Sequence, residues 1–213
     1  DTPYTVMVDI SDRCNLRCNY CFRADESIVA EDYRKNRLME WETFEKVVEQ
    51  MQQFPNQIKR IALSHHGEPL CNRKLPDMVT YIKKSGLAAS TDIHTNALLL
   101  DESYIEALCE SQIDRIVISL QGLDEKNYLK VCGAHIDFDQ FYQRLQYLYK
   151  TKTTTQIHIK IVDVAVGDQK DRFYEMFSPI ADRVFIESVV PLWTGADMMG
   201  EETETNKYGD TFK

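Results

Sequence analysis

The sequence predicts an α/β fold, an open partial (β/α)6 barrel with parallel strands. Short β-branched runs alternate with amphipathic helical runs along the chain, the pattern of parallel strands joined by right-handed crossovers. There are six strand-like runs, too few to close an eight-stranded barrel. A third observation is that the strands read as two-faced, with one apolar side and one side that turns polar toward the C-terminal ends.

In order, strands are expected at residues 4–10, 58–64, 88–95, 115–120, 156–163 and 183–190, and helices at 40–53, 75–84, 101–111, 138–150 and 169–177. The third strand sets Ile93 against Asp92, His94 and Asn96. The fourth sets Ile116, Ile118 and Leu120 against Arg115, Val117, Ser119 and Gln121. The fifth sets Ile157, Ile159 and Ile161 against His158, Lys160 and Val162. The sixth sets Val184 and Ile186 against Phe185, Glu187 and Val189. The apolar faces should pack on helices. A filled barrel interior would be Val, Ile and Leu, so the polar faces predict a wet cavity that binds something polar, with an ordinary hydrated sheet face as the alternative. The loop at residues 15–38 far exceeds the usual two-to-six-residue connection, and over-long loops at strand C-termini usually carry function.

The 213 residues suffice for a self-supporting core without disulfide or metal staples. Apolar residues make up 43% and charged residues 28%, which argues against disorder. The net charge of −9 repels phosphate backbones and argues against nucleic acid as the main partner, barring a local basic patch. No apolar run approaches the roughly 20 residues that span a bilayer, so no membrane partner is expected. The chain opens on Asp1 with no charged-then-apolar leader in view, and the expected compartment is the cytoplasm.

Three of the six cysteines crowd into Cys14-Asn-Leu-Arg-Cys18-Asn-Tyr-Cys21, a C-x3-C-x2-C spacing directly after a strand. In a chain without a secretory signal, such crowding reads as metal binding rather than disulfides. Three thiolates can hold three irons of a 4Fe–4S cubane and leave the fourth without a protein ligand, whereas electron-transfer clusters use four cysteines. Arg13 and Arg17 flank the thiolates and should favour their anionic form. A zinc site completed by His65 or His66, or simple packing of buried thiols, are the competing readings. Cys71, Cys109 and Cys132 have no partner at ligand spacing and read as structural.

Cys14-Asn-Leu-Arg-Cys18-Asn-Tyr-Cys21-Phe22 resembles the signature of the radical S-adenosylmethionine (radical SAM) superfamily. His66-Gly67-Glu68-Pro69 resembles its Gly-Gly-Glu-Pro motif, with His for the first Gly. Thr95-Asn96-Ala97 resembles its Thr-Asn-Gly turn, and Ser119-Leu120-Gln121-Gly122 its Ser-Leu-Asp-Gly strand end. The four motifs fall in register between about Val6 and Val190.

The resemblance implies a 4Fe–4S cluster on Cys14, Cys18 and Cys21, with S-adenosylmethionine bound through its amino and carboxylate groups at the open iron. It implies reductive cleavage to methionine and a 5′-deoxyadenosyl radical, which takes a hydrogen atom from the substrate. Ser119 is expected at the cofactor's ribose or carboxylate, Asn96 and His94 at polar substrate groups, and Lys160 at cofactor or substrate as a catalytic cation. Tyr20 and Phe22 are expected near adenine and cluster, with Val162 and Val189 as apolar walls.

Chemistry also speaks for the second motif. Gly67 lacks a Cβ and lets a ligand approach the backbone. Pro69 biases Glu68 toward extended geometry, and a carboxylate with free carbonyls there suits a cationic amino group. His66 is expected to face the cavity and His65 the helices.

Residues 1–191 are expected to be the partial-barrel core. The tail, 192–213, resembles the lead-in to an auxiliary-cluster (SPASM or twitch) domain, as in the branch that this chain is most like. Expected partners are a peptide or sugar-like small-molecule substrate and an electron donor such as flavodoxin or ferredoxin. A non-catalytic iron–sulfur or zinc module on the same scaffold is the alternative. A pure cluster carrier has no need of Gly67-Glu68-Pro69.

Overall fold

A computed structural model of the chain describes residues 1–24 and 37–188. Six strands form one sheet in chain order: β1 (Thr5–Met7), β2 (Arg60–Ala62), β3 (Thr91–Thr95), β4 (Arg115–Leu120), β5 (Gln156–Val162) and β6 (Arg183–Glu187). Every neighbouring pair is parallel. The crossovers carry α1 (Trp41–Met51), α2 (Leu75–Ser85), α3 (Glu102–Glu110), α4 (Glu125–Cys132), α5 (Phe138–Thr151), α6 (Asp163–Val166) and α7 (Lys170–Phe177). This is the open parallel α/β sheet that the sequence predicts.

The two-faced strands explain why it folds this way. Ile93, Ile116, Ile118, Ile157, Ile159 and Ile161 are all buried and share one core with Phe44 and Val48 of α1, Val79 and Ile82 of α2, Ile105 of α3 and Phe141 and Leu145 of α5. Burying each of these side chains is worth about 1.5–3 kcal/mol. The opposite face carries polar side chains at both ends, with Val117, Val162 and Phe185 among them. At its N-terminal end Asp92, fully buried, takes hydrogen bonds from Arg60 on β2 and Arg115 on β4, the latter at 2.7 Å. Burial alone would raise Asp92, but the bonds from the two guanidinium groups outweigh it and hold the carboxyl below its usual range.

The first strands are shorter than expected. One more bond, from the Val8 amide to the Ala62 carbonyl at 2.8 Å, follows β1 before the chain leaves the sheet. The loop that follows is closed at its neck. Ser11 pairs with Leu38, the Asp12 amide donates to the Arg37 carbonyl, and the Met39 amide donates to the Ile10 carbonyl, both bonds at 2.9 Å. Residues 25–36 of that loop lie outside the described residues, as do Val189 and the expected tail at 192–213.

Helix α4 has no counterpart among the expected elements. Its sequence is short and polar, but Asp124 caps the Asn127 amide at 2.8 Å and Gly133, at φ 66°, stops it in a left-handed turn. Tyr128, Val131 and Cys132 face inward.

Candidate functional site

At the C-terminal ends of the strands lies a cavity of about 560 Å³. Cys14, Cys18 and Cys21 line it from the loop after β1. His94 and Asn96, Ser119 and Gln121, Lys160 and Val162, and Glu187 line it from β3, β4, β5 and β6 or the residues just after. Alternating positions of four strands, most of them polar, therefore meet in one space, a cavity where the sequence predicts one.

The cysteine loop is seated on the strand ends by backbone. The Glu68 amide donates to the Arg13 carbonyl at 2.8 Å, and Gly67 lies flat against the Ser11 and Arg13 carbonyls. A Cβ on Gly67 would meet the Ser11 oxygen at 2.0 Å. The missing side chain thus admits the loop's own stem, rather than a ligand as expected, while Gly67 still borders the cavity. Asn96 exchanges amide hydrogen bonds with Asn15, the shorter at 2.9 Å, and its side chain also accepts from the Leu98 amide. It steadies the loop at the cavity wall.

Glu68 is likewise turned to the protein. Its carboxylate accepts from the Leu70 amide at 3.0 Å, the Thr95 hydroxyl at 2.5 Å and the Asn96 amide at 2.8 Å. It stitches the end of β3 to the turn before Pro69, which opens a short 3-10 helix, Pro69–Cys71. Three protein donors share its two oxygens, so most of its acceptor capacity goes to holding the strand end together at the cavity edge. Burial raises its pKa to about 7, against the pull of those three donors.

Both histidines line the cavity and both are exposed, so His65 does not turn to the helices as expected. The reason is that β2 ends at Ala62 and strand alternation stops before them. Asp9 holds His66 twice, at the backbone amide (3.0 Å) and at Nδ1 (2.5 Å). Phe22, in the 3-10 turn Phe22–Ala24, meets the His66 ring edge-on at 5.7 Å between centroids. Tyr20 donates to Gln121 Oε1, and burial pushes its hydroxyl well above the usual range, so it stays a neutral donor. Lys160 is paired with Glu187 on the cavity wall. Burial and the neighbouring Lys160 both lower His94, which favours its neutral form.

Without metal, Cys14 and Cys18 are held as thiols. Burial raises Cys14 to about 11, and Cys18 is raised by its hydrogen bond with Cys132 and by burial. The guanidinium that lowers Cys14 is that of Arg23, while Arg13 and Arg17, which flank the thiols in sequence, are exposed. Among the described residues, no group of three His, Cys, Asp or Glu side chains is placed to hold a single metal ion. Three soft thiols from one loop, facing a cavity with room beside them, suit a cluster that keeps one corner free.

Sequence reasoning missed four contributors. Asp9 orients His66, Asn15 locks Asn96, Thr95 anchors Glu68, and Cys132 touches Cys18. Asn15 and Thr95 sit inside the quoted motifs and could have been found there. Nothing in the spacing of Cys132 points to the loop.

Comparison with known proteins agrees with this arrangement. A family model described as Radical SAM superfamily matches residues 8–168. The chain is 27% identical over 169 residues to the tungsten-containing aldehyde ferredoxin oxidoreductase cofactor-modifying protein of Pyrococcus furiosus, covering 79% of this chain and 45% of that protein. It is 32% identical over 131 residues to a probable GTP 3′,8-cyclase of Methanococcus maripaludis, covering 61% and 41%. It therefore spans less than half the length of these relatives. Among solved structures, Streptococcus suis SuiB bound to S-adenosylmethionine matches with a TM-score of 0.65 at 20% identity, over 91% of this chain and 42% of SuiB. The anSMEcpe protein with bound AdoMet matches with a TM-score of 0.67 at 18% identity, over 88% and 52%. The family uses a 4Fe–4S cluster with S-adenosylmethionine, and its members are enzymes. Motif order, strand order and a family model that spans most of the described sheet converge, and the chain belongs to the radical SAM superfamily.

Proposed function

We propose that the chain is the catalytic core of an enzyme that cleaves S-adenosylmethionine reductively and takes a hydrogen atom from a peptide or sugar-like small molecule. The observation that supports this most directly is that Cys14, Cys18 and Cys21 share one cavity with the polar ends of β3 to β6. When bound, the cluster would supply the electron that splits the sulfonium to give methionine and a 5′-deoxyadenosyl radical.

The chain's own residues bind, orient and shield. Cys14, Cys18 and Cys21 would hold three irons. The Asp9–His66–Phe22 group and Tyr20 form the rim beside them, and Ser119 offers a hydroxyl to a polar cofactor group. Lys160, restrained by Glu187, places a positive charge opposite the cysteine loop for a carboxylate or other polar group. Val162 adds an apolar wall where an adenine would sit. Walls of this kind keep water from quenching a reactive intermediate. A peptide substrate is in keeping with SuiB, which has been solved with its precursor peptide SuiA. Flavodoxin or ferredoxin is the class of electron donor that fits.

The test is anaerobic reconstitution with iron and sulfide, reduction by dithionite and measurement of 5′-deoxyadenosine. Product formed by the wild-type chain and lost in a folded Cys18→Ala variant is expected. Fully loaded, reduced protein that leaves S-adenosylmethionine intact overturns the proposal.

A further inference from the structure

The face of the sheet turned away from the helices carries a row of charged or titratable side chains along its N-terminal rim, one from each of five adjacent strands. Arg60 opens β2, Asp92 lies on β3, Arg115 opens β4, His158 lies on β5 and Arg183 opens β6. Each alternates with apolar side chains that belong to the core or pack on it. Strand register makes them neighbours, with Asp92 opposite Arg115 and His158 opposite Arg183. None of the five lines the cavity at the other end of the strands. Arg115 stands four residues before Ser119 on β4, about 13 Å at the usual rise.

The row is unbalanced in charge. Three guanidinium groups share a face with one carboxylate, in a chain whose net charge is −9. Asp182, just before β6, does not redress this, because it is paired with Lys152 at 3.0 Å and accepts the Ile157 amide at 2.7 Å. Arg60 and Arg115 both donate to Asp92, but a guanidinium carries more N–H donors than these bonds use, and both side chains are partly exposed. Arg115 Nε is shut off from solvent and has no hydrogen-bond partner among the described residues. Arg183 is held against the sheet, its guanidinium 5.0 Å from the centroid of the Phe185 ring. Burial lowers His158, and Arg115 and Arg183 lower it further against the opposing pull of Asp182 and Asp92, the mark of a positive local field.

We propose that this rim is an anion site that takes the dianionic phosphate group of a small molecule, apart from the cavity at the cysteine loop. A surplus of two positive charges matches a phosphate dianion, and planar guanidinium forks match its oxygens in pairs. Arg60 and Arg115 flank Asp92 and supply donors from one side. Arg183 and His158 supply them from the other. The site needs neither cluster nor S-adenosylmethionine, so it stands or falls apart from the radical chemistry proposed above.

The experiment titrates the full 213-residue chain with inorganic phosphate at about pH 7.5, where the dianion predominates. Chloride keeps the ionic strength constant, and calorimetry and phosphorus NMR line broadening read the binding. One saturable site is expected, with a Kd of about 1 mM or tighter. Glycerol 3-phosphate is the second arm. Tighter binding than inorganic phosphate assigns the site to a phosphate ester, and equal or weaker binding assigns it to the free ion. Both results support the proposal. Arg183→Gln leaves the bonds to Asp92 intact, so it should fold and bind phosphate about tenfold more weakly. Lys160→Met, in the cavity, should change the affinity less than about twofold. Should Arg183→Gln not fold, the isotope-labelled wild-type chain decides, since the Nε–H signals of Arg115 and Arg183 should shift with phosphate. The absence of a saturable site, or heats that chloride reproduces, overturns the proposal. So does a folded Arg183→Gln that binds as tightly as wild type, or guanidinium signals that stay in place at saturation. A tenfold loss in Lys160→Met would put the ion in the cavity and overturn it as well.

Discussion

Gly67 presses on the Ser11 carbonyl so closely that a β-carbon would stand 2.0 Å from its oxygen. Ser11 is also where the two ends of the cysteine loop meet, through its pairing with Leu38. One position without a side chain therefore sets how the loop leaves the sheet. A real Cβ at that distance forces backbone apart, since both clashing partners are carbonyl oxygens rather than flexible side-chain tips.

Gly67→Ala should thus displace the loop stem while the sheet persists. Reconstituted protein is expected to carry well under half the iron of wild type, with far-ultraviolet circular dichroism unchanged. Full iron loading together with an unchanged urea midpoint would show that the stem tolerates the methyl group.

Glu68 holds three donors on two oxygens, and its glutamine isostere cannot. One oxygen of Gln would still serve Leu70 and Thr95, but its amide nitrogen would face the Asn96 amide, donor against donor. Leaving that buried amide without an acceptor costs about 1–3 kcal/mol. Glu68→Gln should lower the urea midpoint accordingly below about pH 5, where wild type keeps the full contribution of this carboxyl, and a variant as stable as wild type there would exclude the stitching role.

The same carboxyl gives stability a pH dependence with a definite sign. Burial raises it in the folded state to about 7, above its ordinary value of 4.5, so the folded chain keeps a proton that the unfolded chain releases. This contribution is complete below the ordinary value and is lost as pH climbs through about 7. Wild type should lose stability between about pH 5 and pH 8, by an amount of order 1–3 kcal/mol. Glu68→Gln, which has nothing to titrate, should lose much less over that range. Parallel urea titrations decide it, and equal slopes would place the titrating group elsewhere.

The sheet and its order were legible because its strands alternate so regularly. Ile157, Ile159 and Ile161 against His158, Lys160 and Val162 can lie only one way once helices must cover the isoleucines. That Cys14, Cys18 and Cys21 come together at one cavity was legible, because three thiols in so short a span cannot lie far apart. The roles of Gly67, Glu68 and Asn96 were not. Each sits in a recognisable motif, but its partners (the Ser11 carbonyl, the Thr95 hydroxyl, the Asn15 amide) are fixed by how separate segments converge. Periodicity does not encode such convergence. For the same reason Cys132 read as plain core. A buried thiol in a short helix has one sequence signature whether it touches leucine or another cysteine.

Asp92 offers a test of the polar floor beneath the cavity. It is fully buried, while Arg60 and Arg115 keep 28% and 33% of their side chains exposed. Asp92→Asn removes the negative charge between them and leaves two like charges facing each other. Breaking a buried pair costs about 3–5 kcal/mol, and the partial exposure of both guanidinium groups puts the expected loss near the lower end. Because Asp92 is held below its usual range, its contribution is present at neutral pH and lost as pH falls through the folded value. Thermal unfolding at neutral and acid pH should therefore show the variant's deficit shrinking in acid. A deficit that is constant with pH would mean that packing, not charge, is what Asn disturbs.

Lys160 and Glu187 form a pair whose two halves can be separated. Lys160→Met keeps the stem and removes the charge, and the ammonium's contact is exchanged for water at Glu187, which is 46% exposed. The fold should therefore hold, with a urea midpoint close to that of wild type. If Lys160 meets a bound carboxylate or other polar group, a charge-assisted contact worth about 1.5–3 kcal/mol disappears, and 5′-deoxyadenosine formation should fall about ten- to a hundredfold. Glu187→Gln leaves the ammonium in place and should fall far less, since it removes the restraint but not the charge. A Lys160→Met enzyme of wild-type activity would reduce the pair to a surface ion bridge, as would equal losses in the two variants accompanied by equal losses of stability.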